Sequence, residues 1–214
     1  MARIVIIGGT GYSGGHILRE AVKRGHDVTS VSRSLPQDPV DGAVYEIGSI
    51  TDAADRARAL RDADDVIVAI SPRGDMTDAV RPAIAAFSKE AAEAGVRFGV
   101  IGGAGSSFVA EGGPLLKDTP EFPDAVKPEA TAMGEVLDDL RRSPESLDWF
   151  LVSPAATYGS FVSVESRGTY RTDGDVLVAE ADGTSSLSGA DLALAVLDEI
   201  EKPAHRRARF TVGY

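Results

Sequence analysis

The stretch IVIIGGTGYSGGH (residues 4–16) carries letters for two different reactions. Gly9, Gly11 and Gly14 fit the dinucleotide pattern G-x-G-x-x-G, while Gly11, Ser13 and Gly15 fit the G-x-S-x-G pattern around a hydrolase's nucleophilic serine. In the first chemistry the glycines let the backbone turn sharply. A pyrophosphate then meets main-chain N–H groups at a helix N-terminus, where the helix dipole favours negative charge. Gly8, Gly9, Thr10, Gly11, Tyr12, Ser13 and Gly14 would form that cradle. In the second, Ser13 sits on a strained elbow and needs an acid and a histidine from later in the chain. Such an elbow normally follows several strands, because sheet must exist on both sides of it, whereas here it follows the first. Strand, glycines and helix stand in the order that dinucleotide binding requires, and that reading is preferred.

A second group of polar residues stands where the ribose of a dinucleotide is read, about 20 residues beyond the glycines. An acid there would bind the 2′-hydroxyl of NAD and repel a 2′-phosphate. The sequence instead offers Ser32, Arg33 and Ser34, an arginine fork between two hydroxyls. That set suits the extra phosphate of NADP, with NAD still possible and a solvated surface arginine as the plain alternative.

The elements that must hold these residues follow from periodicity. RIVII (3–7) is apolar at consecutive positions, as in a parallel strand covered on both faces. Ile17, Leu18, Ala21 and Val22 give the next helix one apolar face, and Gly25 stops it. DVTSVSR (27–33), AVYEIG (43–48) and DDVIVAIS (64–71) read as strands two, three and four. Val80, Ile84, Phe87 and Ala91 stripe a helix that ends at Gly95, and RFGVIGGAGSS (97–107) is a strand running into a second glycine-serine turn, followed by a loop rich in Gly, Pro and Asp. Pro128 opens a helix with Met133, Val136, Leu137 and Leu140 on its buried side, and LDWFLVS (147–153) is the next strand. Residues 154–183 lose the pattern and read as a segment forming the substrate site. A helix from Ala190 to Glu201, with Ser188 and Asp191 at capping-box spacing, and the strand RFTVGY complete the chain. Strands alternating with helices predict a single α/β domain over 1–214, a Rossmann-type doubly wound parallel sheet with a small C-terminal substrate-site region and ligands at the carboxyl ends of the strands.

Composition narrows the classes of function. A net charge of -11 argues against a nucleic-acid partner. No apolar run approaches a membrane span, and no basic region precedes an apolar stretch at the N-terminus, so a cytoplasmic protein without membrane contact is expected. Cysteine is absent, which removes disulfides and thiolate chemistry. His16, His26 and His205 share no metal-ligand spacing, and no metal is expected. The carboxylates of DADD and LDD read as solvated faces.

The loop GGTGYSGGHILREAVKRGHDVTSVSR, the turn VIGGAGSS, the stretch WFLVSPAATY and the C-terminal block SLSGADLALAVLDEIEKPAHRRARFTVGY together resemble the atypical short-chain dehydrogenase/reductases. The similarity is to their small NmrA-like NADH-flavin reductase group, related to biliverdin reductase B. It implies a Rossmann fold and a nicotinamide cofactor. It also implies that Ser106 and Ser107 stand in place of the superfamily's substrate-side serine; the alternative is that they satisfy only the turn's own backbone. The chain departs from the superfamily at two points. No Tyr-x-x-x-Lys pair exists, since the residues four after Tyr12, Tyr45, Tyr158 and Tyr170 are His16, Ser49, Val162 and Gly174. In IGSITD, Ser49 replaces the acid that often holds the adenine, leaving Ser49 with Ile50, or Asp52, to make that contact.

Without a phenol held ionised, alcohol oxidation by the usual route is disfavoured. Hydride transfer to an isoalloxazine or quinone ring depends instead on orientation, and its proton can come from solvent or a hydroxyl. The expected donor is NADP(H), with FMN, FAD or a quinone as the small-molecule acceptor. Ile70, Ser71 and Pro72 should lie near the nicotinamide ribose, and Gly102 and Gly103 on the same edge. Pro154, Ala155 and Tyr158 would line the nicotinamide end, Tyr158 as a stacking surface, a donor or simply a core tyrosine. The competing readings are a non-catalytic sensor of nicotinamide redox state and an epimerase or dehydratase. The sequence leaves the oligomeric state and the physiological acceptor open.

Overall fold

Arg3–Ile7 forms β1, and its consecutive apolar residues feed two cores: Ile4 and Ile6 enter one, Val5 and Ile7 the other. The computed structural model describes residues 1–214. Seven more strands follow: β2 (Asp27–Ser32), β3 (Ala43–Ile47), β4 (Asp65–Val68), β5 (Arg97–Ile101), β6 (Trp149–Ser153), β7 (Arg171–Asp173) and β8 (Ala208–Gly213). They lie side by side in the order β3-β2-β1-β4-β5-β6-β8-β7. Every neighbouring pair is parallel except β7 with β8. The strand order reverses beside β1, and the crevice beyond the carboxyl ends of β1 and β4 is where such a sheet takes a ligand.

Five helices cover the sheet: α1 (Tyr12–Lys23), α2 (Ala53–Leu60), α3 (Val80–Ala94), α4 (Lys127–Arg141) and α5 (Gly189–Glu201). The apolar stripes read from spacing are the buried faces of α1, α3 and α4. α1 and α5 pack with Ile67 and Phe150 on one side of the sheet, while α3 and α4 pack with Val66 and Trp149 on the other. Ser188 caps α5 by accepting the Asp191 amide at 3.0 Å. The reciprocal half of the box is made differently, because the Ser188 amide donates to Tyr214 Oη at 3.2 Å. No helix is long and apolar enough to cross a membrane.

Two elements go beyond the sequence reading. α2 is short, and the side chain that buries its flank is an arginine: Arg56 gives Nε and Nη2 to Glu90 at 2.9 and 2.8 Å and Nη1 to the Ile50 carbonyl at 2.9 Å. A charged residue doing the work of an apolar one leaves no hydrophobic period to read. β7 is three exposed residues on the sheet edge, recognisable only by its antiparallel pairing with β8. The segment 154–183 also divides. Residues up to Phe161 line the cleft described below, whereas β7 and Asp175–Val178 brace β8, for example by Thr211 Oγ1 donating to the Val176 carbonyl at 2.5 Å.

Candidate active site

β1 runs straight into the glycine loop, whose geometry depends on missing side chains at two positions. Gly8 has φ of +89°, and a Cβ on Gly14 would lie 2.2 Å from the Gly8 carbonyl oxygen. α1 can therefore press against the end of β1 only with glycine there. Gly11 is the N-cap of α1 and supplies no side-chain acceptor, and the amides of Tyr12, Ser13 and Gly14 have no backbone partner. Three free donors at the positive end of a helix, beside the point where strand order reverses, are the donor set a diphosphate needs. The hydrolase alternative falls here, because the Ser13 hydroxyl pairs with Tyr158 and not with a histidine.

The residues expected to read the adenosine half take unequal parts. Ser32 is buried and its Oγ accepts the Thr10 amide at 3.3 Å, so it shapes the glycine loop. Ser34 is exposed, and Arg33 is exposed with its guanidinium paired to Asp75 beyond β4. Ile50 corrects the adenine set: it is 2% exposed and belongs to the core. Asp52 is likewise committed, as the N-cap of α2, accepting the amides of Ala54 and Asp55 at 2.8 and 3.1 Å. Ser49 is held locally, its Oγ 2.7 Å from Thr51 Oγ1 and its amide donated to Asp55 at 2.8 Å. Gly9, Thr10 and Gly11 face a recess of about 310 Å³ shared with Arg19 and Tyr45.

The larger cleft, about 490 Å³, opens on the other flank of the loop. Tyr12, Ser13, Ile70, Ser71, Gly102, Gly103, Pro154, Ala155 and Tyr158 all line it, so residues of the glycine loop and those expected at the nicotinamide end share one cleft. Pro72 does not; it is buried behind Ser71. Tyr158 Oη lies 2.7 Å from Ser13 Oγ, and its ring meets Tyr12 edge-on with centroids 5.4 Å apart. Tyr12 Oη in turn accepts the Gly189 amide at 3.1 Å, tying the loop to the start of α5. Burial pushes the Tyr158 phenol far up, and the Ser13 hydrogen bond only partly opposes this. With no cation beside it, Tyr158 is a neutral hydroxyl and not the ionised base of a Tyr-Lys pair.

The two serines of the second turn are a correction. Ser107 is 0% exposed, and neither Ser106 nor Ser107 lines the cleft. Arg209, reaching in from β8, donates to Ser107 Oγ at 3.1 Å, to Ser153 Oγ at 3.3 Å and to the Ser106 carbonyl at 3.4 Å. Its Nε reaches Asp175 at 2.6 Å. Both serines thus anchor the turn that presents Gly102–Gly105 as a wall of the cleft. A buried arginine must find acceptors, and here they are the Ser107 hydroxyl and Ser106 carbonyl of the turn and the Ser153 hydroxyl at the end of β6.

The acceptor side of the cleft draws on the segment 154–183, read above as forming the substrate site, and on the loop before α4, to which the sequence reading gave no role. Phe122 stands on the loop before α4 and Phe161 on the segment after Tyr158, with Leu116, Val126 and Met133 between them in the lining. Phe161 is 72% exposed. Isolated aromatics in otherwise polar loops are the one sequence signal that pointed there. Arg73 and Glu129 form an ion pair at the rim, Nε to Oε2 at 2.6 Å. No three His, Cys, Asp or Glu residues assemble as a metal site.

Residues 8–203 match a family described as NAD(P)H-binding. YwnB, an uncharacterized protein of Bacillus subtilis (strain 168), is 36% identical over 212 residues, 98% of this chain and 97% of its own. Among solved structures, the "putative NADH-flavin reductase" of Streptococcus pneumoniae TIGR4 gives a TM-score of 0.88 at 32% identity, covering 100% of this chain and 99% of that one. The "putative epimerase" of Bacteroides thetaiotaomicron gives 0.87 at 34% identity, covering 100% and 97%.

Proposed function

The chain belongs to the NAD(P)H-binding family, and from that premise we propose that it is a reductase passing hydride from NAD(P)H, preferably NADPH, to a flat conjugated acceptor of the flavin or quinone type. The observation that carries this reading is the cleft itself. It runs from the free amides of Tyr12, Ser13 and Gly14 to an apolar space walled by Phe122, Phe161 and Tyr158, and its Tyr158 phenol stays neutral with no lysine paired to it. Bound reduced nicotinamide would supply the hydride. The chain's task is then orientation: the glycine loop fixes the diphosphate, Ile70 and Pro154 confine the ring, and the aromatic walls set the second ring against it. The Tyr158 hydroxyl, backed by Ser13, can donate a hydrogen bond to the acceptor oxygen or nitrogen, and solvent reaches the open mouth to deliver the proton.

The name of the pneumococcal neighbour supports this class of reaction. The epimerase named for the Bacteroides neighbour fits this chain less well, because no Tyr-x-x-x-Lys pair is present to supply an ionised phenol as the base. The same missing Tyr-Lys pair is what favours the second reading, a non-catalytic nicotinamide sensor. Dependence on a reduced nicotinamide pool supports a cytoplasmic location. Loss of absorbance at 340 nm with riboflavin, FMN and several quinones tests the proposal. Calorimetric binding of NADPH with no turnover on any of them would leave the sensor reading.

A further inference from the structure

We infer that the acceptor is an uncharged flat ring compound, and that Glu129 and Glu121 exclude acceptors carrying a phosphate. This rests on the reductase reading of the same cleft. The charged residues among those lining it are Arg73, Glu121 and Glu129; Glu121 stands on the loop before α4 beside Phe122, Glu129 is in the first turn of α4, and Arg73 reaches Glu129. A flavin nucleotide entering ring-first would trail its phosphate across this rim. The cation there is already engaged, since Arg73 Nε meets Glu129 Oε2 at 2.6 Å. The rim therefore presents one carboxylate more than its guanidinium can neutralise.

The start of α4 gives no compensation. A helix N-terminus ordinarily welcomes an anion, but Glu129 already fills the first turn of α4 with negative charge. Lys127, two residues before Glu129, is turned to Asp124 at 2.7 Å. The walls, by contrast, suit an uncharged ring: Phe122, Val126, Met133 and Phe161 all line the cleft. A quinone or an unphosphorylated isoalloxazine satisfies these constraints. The overall step balances as NAD(P)H, acceptor and one proton giving NAD(P)⁺ and the two-electron-reduced acceptor.

Riboflavin and FMN share the ring and the ribityl chain and differ by the phosphate, so their ratio reads the rim alone. We expect kcat/KM with NADPH to be at least tenfold higher for riboflavin. The dissociation constants, measured by quenching of flavin fluorescence in protein saturated with NADP⁺, should differ in the same sense. The double variant Glu121→Gln/Glu129→Gln should bring both ratios to threefold or less, and added salt should narrow them in the parent protein. NADPH affinity, read by calorimetry, reports that the variant is folded. Equal use of the two flavins, or a preference for FMN, overturns the inference while leaving the reductase reading intact. A large ratio that the double variant does not move overturns it as well. If NADPH binds but no flavin or quinone is bound or reduced, the reductase reading fails and this inference with it.

Discussion

The guanidinium of Arg33, at the end of β2, closes on the carboxylate of Asp75, in the turn beyond β4. β1 lies between those two strands, so the pair straddles the mouth of the glycine loop. A 2′-phosphate bound by Arg33 must displace Asp75, and both partners are exposed, which keeps that exchange inexpensive. Arg33→Ala should weaken NADPH by roughly 10- to 100-fold, the worth of charge-assisted hydrogen bonds, and leave NADH within about twofold. Asp75→Asn should tighten NADPH a few-fold and NADH hardly at all. Calorimetric titration of both cofactors checks the pair, and equal losses for NADPH and NADH in Arg33→Ala would show that Arg33 does not read the phosphate.

Tyr158 and Ser13 form the polar contact at the nicotinamide end, 2.7 Å apart. If the phenol donates to the acceptor, Tyr158→Phe should lower kcat by about tenfold, the worth of one hydrogen bond gained in the transition state, with NADPH affinity nearly unchanged. Burial raises the phenol well above its ordinary range. The wild-type rate should therefore show no loss from tyrosine ionisation up to pH 10. A fall in kcat near pH 9 to 10 that disappears in Tyr158→Phe would refute the neutral-donor role.

The sheet and the cofactor loop were legible because both are written in local terms. Strand periodicity, the stripes of α1, α3 and α4, and the glycine spacing each sit within a few consecutive residues. The parts that were not legible depend on partners far away in sequence. Nothing near Ser107 announces Arg209, and nothing near Arg33 announces Asp75. Ile50 and Asp52 looked like adenine contacts by position, yet one faces the core and the other begins a helix whose buried flank is Arg56. The acceptor walls come from the loop before α4 and the segment after β6, which carry no period to read.

Ser107 illustrates the consequence. As an anchor for Arg209 it should matter to stability more than to chemistry. Ser107→Ala removes one acceptor from a buried guanidinium whose charged form burial already disfavours. The expected cost is about 1–3 kcal/mol, a fall of several °C in Tm for a chain of this size. Thermal unfolding should register the change. A variant that keeps its Tm but loses turnover would return Ser107 to the reaction.

Asp65 opens β4 at the opposite end of the sheet from the cleft and titrates in an unusual range. Burial pushes its carboxyl up to about 6, and the attraction of Arg97 only partly resists. Oδ1 is buried without a partner, while Arg97 has Glu199 at 2.5 Å and Asp148 at 3.6 Å. Because the folded-state value is raised, the stability linked to the protonated form is complete below about pH 4 and is lost as pH rises through 6. At pH 7 to 8 the fold holds an ionised and poorly solvated carboxylate. Asp65→Asn should then raise stability by up to about 3 kcal/mol at pH 8, an upper bound because the Arg97 attraction goes with the charge, and by less than about 1 kcal/mol at pH 4. Urea midpoints measured at both values test the sign. A gain that is equal at the two, or a loss at pH 8, would mean that Arg97 holds Asp65 ionised at no net cost.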